Sequence, residues 1–162
     1  MYRSILSATI LLLLLQVGAC GGSVVREPVV TLESVQLAGL GLRGGVLTVT
    51  VAIQNPNPFS LGADRVRYAV SIAETDASGD TIWMDLANGV YEEDFSVGGG
   101  ETELVEVPVE FTYAGLGTAA SSILSAGSFT YRASGVVDVR TPLGGREVPF
   151  ERNGVVTILG AR

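Results

Sequence analysis

Beyond residue 28 the chain alternates apolar and polar side chains with a period of two, the pattern of strands that bury one face. The clearest stretch opens at Gly44-Gly45, with Leu47, Val49, Val51 and Ile53 on one face and Thr48, Thr50, Ala52 and Gln54 on the other. The β-branched threonines of that second face also favour a strand. Val66, Tyr68, Val70 and Ile72 alternate in the same way with Arg65, Arg67, Ala69 and Ser71. A third stretch sets Val105, Val107, Val109 and Phe111 against Leu104, Glu106, Pro108 and Glu110. Pro108 offers no N–H to a ladder, so this strand is expected at a sheet edge or beside a bulge.

Weaker alternation predicts strands at Val29 to Leu37, Trp83 to Val90, Ser128 to Val139 and Glu147 to Ile158. Within the last, Arg152-Asn153-Gly154 predicts a hairpin turn, because Asn-Gly suits the positive backbone angles of a type I′ turn. One short helix is expected over Thr118 to Leu124, capped by Thr118 and stopped by Gly127. Seven or eight strands with a single short helix predict an all-β fold, one antiparallel β-sandwich. Trp83 and Met84 are expected to fill part of its core.

The first nineteen residues are different. Met1-Tyr2-Arg3 precede an apolar stretch that contains Leu11 to Leu15 without a break, too short for the roughly twenty residues of a membrane-spanning helix. A short positive start followed by such a run has the layout of an export signal. Val17, Gly18 and Ala19 then stand directly before Cys20, the one cysteine of the chain. This resembles the lipobox of bacterial lipoproteins, which implies cleavage before Cys20 and lipid attachment to that residue. The expected organisation is a signal peptide over 1–19, a lipidated cysteine and short tether over 20–28, and one domain over 29–162. Two or three acyl chains would anchor the chain stably, whereas one would hold it weakly. Gly21 stands where an aspartate often retains lipoproteins at the inner membrane, so the resemblance implies the outer membrane if the cell has two.

Composition removes several chemistries. The 162 residues include no His and no Lys, so there is no imidazole base and no lysine for a phosphate loop. A lone Cys cannot close a disulfide within the chain, and no metal or other cofactor is expected beyond the covalent lipid on Cys20. A net charge of -7 argues against nucleic-acid binding. The charge is also segregated. Glu74, Asp76, Asp80, Asp85, Glu92, Glu93, Asp94, Glu101, Glu103, Glu106 and Glu110 lie between Arg67 and Arg132 with no basic residue among them. A hydrated, solubilising surface is the expected role of these acids. Glu74 to Asp80 lacks the length and closing Glu of a calcium loop, which leaves a turn. Glu92-Glu93-Asp94 would serve as acid and base only in a cleft that shifted their pKa values. The 21 glycines, nearly twice ordinary usage, are expected at turns such as Gly39-Leu40-Gly41, Gly44-Gly45, Gly98-Gly99-Gly100 and Gly144-Gly145.

Between the two strongest strands lies Gln54-Asn55-Pro56-Asn57-Pro58-Phe59-Ser60-Leu61-Gly62. Pro56 and Pro58 fix φ and bias their predecessors away from helix, while Asn side chains bond nearby backbone, so a rigid turn is expected, with Phe59 and Leu61 packing inward. With Leu86-Ala87-Asn88-Gly89-Val90, Phe95 to Gly100 and Thr102 to Val109, this phrase resembles the LEA type 2 family, also called the WHy domain. The resemblance covers roughly Val30 to Val139, with a continuation to Ile158 left open. It implies a sandwich like immunoglobulin or fibronectin type III domains and a link to desiccation and stress; the expectation of no catalysis comes instead from the missing His and Lys, which leave Ser without a base. For Asn55, Pro56, Asn57 and Pro58 the expected role is structural.

The resulting expectation is a noncatalytic, membrane-anchored protein of the bacterial cell envelope that supports stress tolerance through surface hydration or weak protein and lipid contacts. The alternative is an adaptor that binds another envelope protein through a sandwich edge or the acidic face. An acid/base hydrolase ranks third. The sequence names a scaffold without a client or an oligomeric state.

Overall fold

The computed structural model describes residues 25–75, 77–116 and 125–157. Seven strands cross the described residues: β1 (Val29–Leu40), β2 (Gly44–Gln54), β3 (Leu61–Thr75), β4 (Thr81–Val97), β5 (Thr102–Thr112), β6 (Ser128–Thr141) and β7 (Gly144–Thr157). They form two sheets, ordered β1-β2-β5 and β4-β3-β6-β7, and each neighbouring pair is antiparallel. This is the arrangement of a fibronectin type III-like sandwich, in which the fourth strand stays beside the third. A single helical turn, α1 (Tyr113–Leu116), follows β5. The helix expected over Thr118 to Leu124 and the end of the last strand at Ile158 lie outside the described residues, as do Val17, Gly18, Ala19 and Cys20.

The alternation seen in the sequence becomes the interior. Leu47, Val49, Val51 and Ile53 of β2 are buried against Val66, Val70 and Ile72 of β3, with Val105, Val107, Val109 and Phe111 of β5 on the same inner layer. Each such side chain contributes about 1.5–3 kcal/mol by leaving water, so a one-residue slip of register would forfeit the whole row. Pro108 lies on β5, an edge strand of the first sheet, and pairs with Thr48 without a local register shift. Pro149 lies on β7, an edge of the second sheet.

Two expectations are corrected. Arg152-Asn153-Gly154 makes no turn: β7 runs straight through it, pairing Ala133 with Arg152, Arg132 with Asn153 and Tyr131 with Gly154. The turn between β6 and β7 is Pro142-Leu143, closed by Gly144 with φ +117°, at the glycine pair where the sequence places a turn. Gly154 is a glycine because the Tyr131 ring of the neighbouring strand lies across it; a Cβ there would sit 2.8 Å from ring carbon Cε1. Trp83 does not fill the core. It is 36% exposed on the outer face of β4, where the Arg132 guanidinium stacks 4.2 Å from its ring centre, whereas Met84 does pack against the interior.

Gly45, Gly89 and Gly135 repeat the theme of Gly154, each paired across strands with an aromatic residue: Phe111, Tyr68 and Phe150 respectively. At Gly135 a Cβ would stand 2.4 Å from Phe150 Cζ and 2.3 Å from the Arg67 carbonyl oxygen. Part of the glycine excess therefore lies inside strands, where missing side chains make room for rings, and only part lies at turns.

Candidate functional site

The chain leaves the first sheet after Gln54 and enters the second at Leu61; it crosses back between Val97 and Thr102. Both crossings therefore sit at one end of the sandwich, each with backbone groups that no ladder satisfies. Asn55 joins them. Its own N–H donates to Glu101 O at 2.9 Å and its carbonyl accepts from Gly100 N at 3.0 Å. Its side-chain Nδ2 donates toward Phe59 O at 2.7 Å, Gly98 O at 3.0 Å and Val97 O at 3.2 Å. Its Oδ1 accepts from both Asn57 N and Asn57 Nδ2, each at 3.0 Å.

Asn57 extends the network to the N-terminal segment. Its Oδ1 accepts from Arg26 N at 2.7 Å and its Nδ2 donates to Arg26 O at 2.8 Å, so the planar amide pairs with Arg26 as a neighbouring strand would. Both asparagines are buried, at 0% and 1% exposure. A buried amide is tolerated only with its donors and acceptors engaged, and here each one is engaged within the chain. Aspartate would lack the donors that three carbonyls require. Phe59 packs against the core and Leu61 is buried within it, as the sequence predicts.

The acidic segment is divided by its surroundings. Arg65 meets Glu92 at 3.2 Å, and Arg140 lies 2.8 Å from Asp94 and 2.6 Å from Asp64. Arg67 reaches Glu147 at 2.7 Å and Asp138 at 2.8 Å. The hydrogen bonds to Glu147 and Asp138 hold Arg67 above its ordinary guanidinium value, and those to Asp94, with the nearby charge of Asp64, do the same for Arg140. Glu93 accepts from the Tyr91 hydroxyl, which raises that phenol's pKa. The three adjacent acids Glu92, Glu93 and Asp94 thus have three different partners, Arg65, Tyr91 and Arg140. Tyr91, Glu93, Phe95, Glu103, Leu104, Val105 and Glu106 line a shallow groove where edge strands β4 and β5 face each other. Among the described residues, no three His, Cys, Asp or Glu side chains gather as a metal site.

Arg152 is the residue that sequence reasoning missed. Its Nη1 donates to the carbonyls of Leu32, at 2.8 Å, and Glu33, across from β7 to a bulge in β1. The Arg26 contact of Asn57 was also not legible, since 31 residues separate the two and nothing local marks the pairing.

Taken together, the strand order and the buried asparagine crossing define a β-sandwich of the immunoglobulin and fibronectin type III class. The model of the LEA_2 family, late embryogenesis abundant protein, matches residues 50–154, and the chain belongs to this family. Comparison with curated proteins returns no match. Among solved structures, a protein from Arabidopsis thaliana is similar with a TM-score of 0.67 and 14% identity, covering 91% of this chain and 92% of that one. A candidate late embryogenesis abundant (LEA) protein has a TM-score of 0.56 and 19% identity, covering 96% and 85% respectively. A protein from Archaeoglobus fulgidus has a TM-score of 0.55 and 12% identity, covering 78% and 96%. At these identities the likeness speaks for the fold.

Proposed function

We propose that this LEA type 2 domain is a noncatalytic lipoprotein of the bacterial cell envelope, attached through lipid on Cys20 and supporting tolerance of drying or envelope stress through surface hydration and weak contacts. The observation that carries the noncatalytic reading is the self-contained asparagine network. The most distinctive polar groups of the chain are buried and bonded to its own backbone, which leaves them to hold two crossings together. The outer face of β2 and β1 presents Thr48, Thr50, Ser34 and Gln36 to water, with Ser34 and Thr50 joined at 3.2 Å. Such a surface is hydrated without being a catalytic cleft.

Drying a labile enzyme with and without the purified protein tests the proposal. Retained enzyme activity, with no stable complex, supports it; loss equal to that with an inert protein of the same charge counts against it. A second reading, an adaptor for another envelope protein, draws on the groove between β4 and β5. Its sign would be a stoichiometric partner that co-purifies and is lost when Glu103 and Glu106 are changed to Lys while the fold is retained.

A further inference from the structure

We infer that the end of the sandwich bearing the asparagine network faces the bilayer, and that Leu143 at the tip of the β6–β7 hairpin rests in the lipid headgroup region. The inference rests on the reading of Cys20 as the lipid anchor. The side-chain amide of Asn57 fixes the Arg26 backbone against the crossing, its Oδ1 accepting from Arg26 N at 2.7 Å and its Nδ2 donating to Arg26 O at 2.8 Å. Six residue steps separate Arg26 from Cys20, and a chain advances at most about 3.5 Å per step, so Arg26 lies within about 20 Å of the lipidated residue. The network makes that limit strict, because without it the tether would lengthen by the residues that peel away.

Strand register places the hairpin at the same end. Leu61 follows the crossing directly, Gly62 pairs with both Ser96 and Arg140, and Arg140 pairs with Gly145. Pro142-Leu143 therefore projects beyond this row by roughly two residues, about 7 Å. Leu143 is 74% exposed in a two-residue turn, a place where polar residues or glycine are usual. The opposite end has an exposed leucine too, Leu42, at the β1–β2 turn. Apolarity alone does not choose between the ends. The tether does, since the eleven residues of β2 separate them by roughly 35 Å. Arg140, beside this hairpin, is already paired with Asp64 at 2.6 Å and Asp94 at 2.8 Å, so attraction to anionic lipid is not what holds this end at the membrane.

Cys20 is the only native thiol, and acylation would consume it. A cysteine introduced by Leu143→Cys or by Leu42→Cys is then the one group in the lipoprotein that reacts with a thiol-specific fluorophore. The full chain, processed in a lipoprotein-exporting bacterium, is reconstituted in vesicles of phosphatidylethanolamine and phosphatidylglycerol that carry shallow nitroxide lipids. The Leu143→Cys probe should be quenched several-fold more than the Leu42→Cys probe, with little dependence on salt. Equal quenching of the two, or stronger quenching at Leu42→Cys, overturns the orientation. The intact mass of the same sample separates the two levels of the argument: a chain without lipid on Cys20 removes the anchor itself, whereas a lipidated chain with the wrong quenching order removes only the orientation.

Discussion

An asparagine side chain carries a donor and an acceptor in one plane, and Asn57 uses that plane to stand in for a strand edge against Arg26. Asn55 needs the donor side more, because three carbonyls converge on its Nδ2. Removing either leaves buried backbone groups without partners, at about 1–3 kcal/mol for each group. Asn55→Ala is expected to lower stability by roughly 3 kcal/mol or more in urea unfolding, and Asn55→Asp by a similar amount because the carboxylate is acceptor-only. Asn57→Ala should cost less globally but speed hydrogen exchange at the Arg26 amide; an unchanged exchange rate there would contradict the latch. At Gly135, where Phe150 and the Arg67 carbonyl leave no room for a Cβ, Gly135→Ala is expected to destabilise by about 1–3 kcal/mol, whereas the same change at Gly145, with open space around it, should be near neutral. Sequence displays Asn-Pro-Asn-Pro as a turn, since its local chemistry is visible. Its partners across the crossing are set by topology, which no local pattern encodes.

At the scale of strands, the legible part is what repeats every second residue with one face buried. This is why β2, β3 and β5 emerge from the sequence with their inner faces correct. Asn153-Gly154 misleads because local turn preference is only a weak bias, and it yields to cross-strand pairing with Tyr131 and Arg132. Trp83 misleads because size suggests burial, while its position two residues from Asp85 puts it on the solvent face. Edge strands show a further use of the acids. Glu106, Pro108 and Glu110 project from β5, and charge and proline at an edge discourage pairing with another chain. Combining Glu106→Thr, Pro108→Val and Glu110→Thr should therefore convert a well-behaved chain into one that self-associates, read by light scattering against the unmodified protein. On the other edge, Arg152→Ala frees the Leu32 and Glu33 carbonyls and is expected to cost about 1–3 kcal/mol, with faster exchange confined to β1 and its partner. Exchange spread evenly over both sheets would contradict that assignment.

For the molecule as a whole, folding dissolves part of the charge segregation seen in the sequence, since Glu92 and Asp94 of the acidic run each meet an arginine from outside it. Arg65, Arg67 and Arg140 lie on the outer face of the second sheet and meet Glu92, Asp138, Glu147, Asp64 and Asp94 there. Apart from the half-buried Asp138, the members of these pairs are solvent-exposed and screened by salt, so moderate salt should shift the unfolding midpoint only slightly. Alkaline pH should matter more. Burial raises the phenol pKa of Tyr68 and of Tyr131 above the ordinary value, so the folded state keeps protons that the unfolded state releases. Stability is accordingly full below about pH 10 and falls as pH rises past it, and Tyr131→Phe should flatten that fall. The family and the sandwich are established by the fold and the LEA_2 match, while the membrane setting proposed for them rests on the reading of Cys20 as a lipid anchor. Intact mass of the mature protein, isolated from the membrane fraction of an exporting bacterium, addresses that point most directly. The account predicts a chain that begins at Cys20 and carries covalent glyceride and acyl mass, with Cys20→Ala abolishing both the lipid and membrane recovery. A chain with a free Cys20 thiol, whether uncleaved or cut elsewhere, would contradict it.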